Sequence, residues 1–259
     1  LLPSTPRLRK HPRLPDLPAA PDLPDFHSTS TTTMLDPGGL LPFLPRDAVL
    51  ATFERFWREV ADRRAGRKEW EGYTPYELRH VGAFLRLHVA TGDGRWRDRA
   101  HELLAGYLRD QRPPGWNAWP EVVHRDARAA RFLGDLPHGW VGSDFVRSFL
   151  DLFAFEREAG PGTEPVLVLG AGIPTSGLER PQGITVEDLA TPWGPLTYSL
   201  ERIADFPQKF SDRLVAYRYW VSGGLKVPPG GIVLVPPTRE PHQQPIVNGS
   251  PVERRPDGT

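Results

Sequence analysis

The sequence contains no cysteine, a single methionine and only four lysines among its 259 residues. Without thiols there can be no disulfide framework, no thiolate nucleophile and no sulfur-ligated metal site. No apolar run approaches the roughly 20 residues needed to cross a bilayer. Net charge is missing too, because 32 basic residues balance 32 acidic ones. That balance gives no global electrostatic drive toward nucleic acid or an anionic membrane, so neither is an expected partner. Composition assigns no compartment.

What the sequence does hold is 30 prolines, 25 glycines and 39% hydrophobic residues. The length and apolar content suit one large domain or two small ones with a real core. Proline at about twice its usual share argues against a simple helical bundle. The sequence starts at Leu1-Leu2-Pro3 without an initiator Met or a signal-peptide pattern, and stops on the turn signal Pro256-Asp257-Gly258-Thr259. The expectation is a portion of a longer protein.

Three segments follow from the periodicity, and together they predict an α+β fold. Residues 1–46 are Pro-rich, with Leu14-Pro15, Leu17-Pro18 and Leu23-Pro24 spaced near three, the signature of an extended strap or linker. Residues 47–163 read as a helical module. Val49, Leu50, Phe53, Phe56, Trp57 and Val60 form one stripe; Val81, Phe84, Leu85 and Val89 a second; Trp96, Ala100, Leu103, Leu104, Tyr107 and Leu108 a third. A fourth helix is expected from near Ser143, capped by that residue and carrying Phe145 and Phe149. Thr74-Pro75-Tyr76-Glu77 reads as a capping box that opens the second helix. Residues 164–259 read as a β-rich module, an antiparallel sandwich or sheet. Its short strands include Val166–Leu169, Ile184–Leu189, Leu196–Leu200, Leu214–Val221 and Ile232–Val235, separated by Gly/Pro turns.

The chemistry-bearing residues concentrate in one loop. Trp116, Asn117, Trp119 and Glu121 are followed by His138, Trp140, Ser143 and Asp144. Indole faces stack on the apolar faces of sugar rings, while Asn, His and Asp reach hydroxyls. A carboxyl between aromatic walls can hold a raised pKa and serve as a general acid. Glu71, with Glu69 beside Trp70, is a second carboxylate candidate on the loop before the second helix. Asp25-Phe26-His27 with Asp36 suits a turn or cap. The histidines show no metal-ligand spacing, Gly170-Ala171-Gly172 lacks the rest of a dinucleotide fingerprint, and no cofactor is expected.

The loop Trp116-Asn117-Ala118-Trp119-Pro120-Glu121, the segment Pro137-His138-Gly139-Trp140-Val141-Gly142-Ser143-Asp144-Phe145 and the strand-rich tail to Val247-Asn248-Gly249 follow amphipathic helix pairs. Together they resemble the C-terminal part of a bacterial six-hairpin glycosidase-like protein, over roughly residues 47–250. The resemblance implies part of an α/α toroid with a trailing β module, acting on carbohydrate. It further implies an inverting mechanism that uses two carboxylic acids roughly 6.5–9.5 Å apart. Glu121 matches the late general base, and the missing N-terminal helices would hold the partner carboxylate; within this chain Glu71, read from the residues alone, is the second catalytic candidate. Trp116, Asn117, Trp119, His138, Trp140 and Asp144 are the implied substrate contacts. Only four or five helices are read here, fewer than a complete toroid holds, so a missing N-terminal part or another chain would complete the cleft. The alternative is a non-catalytic carbohydrate-binding or structural module.

Overall fold

A computed structural model describes residues 31–128, 135–180, 182–203, 216–237, 246–247 and 250–251. The chain divides into two compact units, one built from residues up to 88 and from 95–150, the other from 89–94 and from 151 onward. Helices dominate the first and sheets the second, so the chain is α+β. The second unit begins before residue 164. Most of the Pro-rich segment, with Asp25-Phe26-His27, lies outside the described residues. The part that is described, 31–46, is not extended: it forms α1 (Thr31–Leu35) and a 3-10 turn at Leu41–Phe43. Leu35 and Asp36 are buried, and the Thr32 hydroxyl pairs with Nε2 of His80 at 3.1 Å.

The first unit follows its apolar stripes. α2 (Arg46–Arg64) buries Val49, Thr52, Phe53, Phe56 and Val60, one face at helical spacing. Asp47 in its first turn and Arg63 and Arg64 in its last complement the helix dipole. α3 (Arg79–Thr91) and α4 (Gly94–Arg109) carry the next two stripes. In the first unit, Phe84 of α3 meets Phe53 and Phe56 of α2, each at 6.1 Å, and Trp96 of α4 at 5.1 Å between ring centroids. His80 stacks on Phe56, ring centroids 3.4 Å apart. Between these helices, β1 (Gly72–Tyr73) pairs antiparallel with β2 (Val123–His124), aligning Gly72 with His124 and Tyr73 with Val123. α5 (Gly139–Asp151) begins four residues before the expected Ser143. The Ser143 hydroxyl donates to the Trp140 carbonyl inside the helix at 2.8 Å, so it is not the cap. Among the described residues no helix is long and apolar enough to cross a membrane.

The second unit holds two three-stranded sheets. In the first, β3 (Ala154–Arg157) pairs antiparallel with β4 (Val166–Leu169), and β4 pairs parallel with β8 (Ile232–Leu234). That parallel pair departs from the expected all-antiparallel arrangement. β4 is buried along its whole length, as a central strand with an unbroken apolar run must be. In the second sheet β5 (Ile184–Thr191), β6 (Gly194–Ile203) and β7 (Ala216–Ser222) form an antiparallel meander. A bulge interrupts β5 between Val186 and Leu189, where Asp188 takes φ 51°. Leu167 and Leu169 share one core with Leu196, Tyr198 and Leu200, so both sheets bury the same apolar set. The Tyr198 hydroxyl is satisfied by the Phe153 carbonyl at 2.8 Å, and burial pushes its pKa well up. β9 (Ile246–Val247) pairs with β10 (Ser250–Pro251).

Gly170-Ala171-Gly172 has a packing explanation. The Gly172 amide donates to the Leu152 carbonyl at 2.9 Å, and a Cβ there would lie 2.6 Å from the Leu152 Cα. Backbone cannot yield as a side-chain tip can. Gly172→Ala should therefore destabilise the second unit by about 1–3 kcal/mol, the usual cost of overpacking. A urea titration followed by far-UV circular dichroism checks this, and an unchanged midpoint refutes it.

Candidate functional site

Charge and aromatic groups in the first unit sort into a buried scaffold and an exposed set. Glu77 belongs to the scaffold. Its carboxylate is fully buried and accepts two bonds from Arg63, at 2.9 Å on Oε1 and 2.5 Å on Oε2. The Tyr107 hydroxyl donates to Oε2 at 3.0 Å. Burial lowers and Glu77 raises the Arg63 pKa, and the net shift is upward, so the guanidinium stays charged. Burial likewise holds the Tyr107 phenol protonated as a donor. The Arg63 guanidinium lies 4.2 Å over the Tyr73 ring, and the Tyr73 hydroxyl donates to Asp110 at 2.6 Å. The expected cap is present in Thr74, whose hydroxyl accepts from the Tyr76 amide at 3.4 Å, and the Glu77 carboxylate of that first turn also reaches the buried Arg63.

Asp144, expected to reach a sugar hydroxyl, belongs to a second buried group. It accepts from Arg79 Nε at 2.6 Å and from Arg147 at 2.9 Å. Burial raises its pKa, while the two guanidinium groups oppose that shift. Asp36 lies 3.4 Å from Arg86 and 3.5 Å from Arg147 in the same neighbourhood. A carboxylate held this way is committed to its cations and offers a ligand little. Trp119 is also reassigned. It is 4% exposed, its indole N–H donates to the Tyr107 carbonyl at 2.9 Å, and its ring packs on Phe145 at 5.0 Å. It anchors the loop and presents no face for stacking.

The remaining loop residues are accessible. Trp116 is 68% and Trp140 72% exposed, and Asn117 sits in an exposed left-handed turn at φ 52°. The His138 amide donates to the Trp119 carbonyl at 2.9 Å, which fixes the segment just before α5. His138 itself forms a chain of contacts. Its Nδ1 lies 2.6 Å from Asp135 and its Nε2 2.8 Å from the Tyr76 hydroxyl. A carboxylate can only accept, so Nδ1 carries the proton; in the neutral ring Nε2 then accepts from the phenol. Trp140 flanks the imidazole edge-on at 5.9 Å, and Arg79 lies 4.5 Å over the Tyr76 ring. Burial first, then the charge of Glu121, push the Tyr76 phenol above its usual range, with Arg79 pulling the other way. Glu121 therefore stands close enough to Tyr76 to be felt by it.

Glu71 stands elsewhere. It lines an open cleft of about 760 Å³ together with Glu69, Trp70, His124, Arg125 and Asp126. The Arg125 amide donates to the Glu71 carbonyl at 2.9 Å, placing Glu71 across from Arg125 at the far end of the β1–β2 ladder. Glu121 is not in that lining. The structure thus brings Glu121, His138 and Trp140 toward Tyr76 and sets Glu71 apart from them.

Tyr76 and Asp135 are the groups that sequence reasoning missed. Tyr76 was hidden inside a capping signature, and its partner His138 lies 62 residues away. Among the described residues no group of three or more His, Asp and Glu side chains is placed to hold a metal ion. No protein-family model, no curated protein and no solved structure matches the chain.

Proposed function

We propose that the chain is a glycoside-hydrolase module that cleaves glycosidic bonds by carboxylic acid and base chemistry. The observation that carries this reading is the Tyr76–His138–Asp135 chain beside the exposed Trp140, with the charge of Glu121 felt at the Tyr76 phenol. Trp140 supplies an apolar platform for a sugar ring. The Tyr76 hydroxyl, whose proton goes to His138, keeps oxygen lone pairs to accept from a sugar hydroxyl, and Glu121 acts as general acid or base. In the inverting form of the reaction a second carboxyl is needed. Within this reading the helices belong to an α/α-toroid-like layer and the two sheets to a sandwich-like module.

Replacing Glu121 by Gln keeps the shape and removes the proton chemistry. Glu121→Gln should lower turnover of a cleavable oligosaccharide by about 10²–10⁴-fold, the usual contribution of a positioned acid or base. Reducing-end release is the measurement, with binding of the same sugar recorded beside it. Unchanged turnover would end the assignment. Binding without turnover in the wild type would favour the alternative, a non-catalytic carbohydrate-binding module that uses the same aromatic residues.

A further inference from the structure

The cleft that takes Glu71 has a composition and a position that set it apart from the Glu121 site. One wall is residues 69–71 and the other 124–126, the segments that run on from the outer end of the β1–β2 ladder. Its indole is already held. Trp70 meets Tyr73 edge-on at 5.7 Å, and Tyr73 is locked by its bond to Asp110 and by Arg63 over its ring. A platform held before the ligand arrives loses little freedom on binding.

The polar lining decides what class of molecule fits. Glu69 and Asp126 supply acceptors and Arg125 supplies donors, while Glu71 adds negative charge. Asp126 spends one oxygen on the Arg128 amide at 2.9 Å, which orients its carboxylate. Three carboxylates against one guanidinium leave the cleft negative, so phosphate, sulfate and uronate groups are repelled. With a single apolar side chain, the lining also has too little grease for a lipid. A ring with one apolar face and a rim of hydroxyls, each both donor and acceptor, matches all of these features.

Position adds the rest. Glu71 stands across from Arg125, four residues along the chain from Glu121, at most about 13 Å of extended backbone. A chain of several sugars can reach both places. We propose that this cleft is a second glycan subsite and that the substrate is an uncharged oligosaccharide engaged at both ends of the β1–β2 ladder. The identity of the ligand as a sugar rests on the hydrolase reading above.

Calorimetric titration with neutral hexasaccharides of glucose, mannose and xylose, and with a hexasaccharide of uronic acids, tests the subsite on the full chain. The neutral hexasaccharide that binds should lose at least tenfold in affinity in both Trp70→Ala and Asp126→Ala, while the uronate chain fails to bind. Asp126 is exposed, so its variant remains informative if Trp70→Ala folds poorly. Wild-type affinity in Asp126→Ala and in a folded Trp70→Ala overturns the subsite, as does preference for the uronate chain or no binding of any neutral hexasaccharide. The two ideas separate cleanly. Loss of binding in these variants without turnover by the wild type keeps the subsite and removes the hydrolase. Turnover abolished by Glu121→Gln with normal binding in both cleft variants does the reverse.

Discussion

Glu77→Ala should cost the first unit about 3–5 kcal/mol, the expected penalty when one partner of a buried ion pair is removed. The deletion strands a guanidinium that is largely enclosed and deprives the Tyr107 hydroxyl of its acceptor. Arg63 has no easy escape, since its other contact is the Tyr73 ring beneath it. The comparison that isolates the mechanism is the double variant Arg63→Met with Glu77→Leu. Replacing both charges by apolar groups of similar bulk removes the stranded ion, so the double variant should be more stable than Glu77→Ala alone. Urea titrations of the three proteins measure both statements. A loss below about 1 kcal/mol in Glu77→Ala would mean that water reaches Arg63 and the pair is not truly enclosed.

Phe84→Ala should cost a similar amount by an unrelated route, about 3–5 kcal/mol from lost transfer energy plus the cavity left behind. Its ring is fully buried, with Phe53, Phe56, Trp57, His80 and Trp96 around it at centroid distances of 5.1–6.3 Å. Flat rings on three helices cannot slump into the hole as aliphatic chains can, which places the cost toward the upper end. Phe84→Leu keeps most of the volume and should lose clearly less. Equal losses for the two substitutions, read from the same denaturation curves, would show that shape rather than volume governs the site.

These two residues also mark how far the sequence could be read. Phe84 was visible because burial on a helix repeats every three to four residues, and the repeat survives in the letters. Glu77 was visible only as part of a cap. Its partners Arg63 and Tyr107 lie 14 and 30 residues away, beyond any local rule. The start of α5 failed for a related reason: Ser143 is a favoured capping residue, yet the helix begins at Gly139. The short β3 and the parallel β4–β8 pairing carry no local signature either. In the candidate site the three loop tryptophans look alike as letters. Only the bond from Trp119 to the Tyr107 carbonyl turns that one inward and leaves Trp116 and Trp140 outside.

The parallel pairing of β4 with β8 has a consequence for synthesis. Leu167 to Leu169 wait for partners that follow about 65 residues later in the chain. The Arg63–Glu77–Tyr107 cluster needs nothing beyond residue 107. As the polypeptide leaves the ribosome, the helical scaffold can therefore close while the central strand of the second unit still shows one bare edge. That edge is four residues of unbroken Val and Leu, the kind that recruits foreign strands until its own arrives. The vulnerable interval in the life of this protein is the time taken to translate from residue 169 to residue 234.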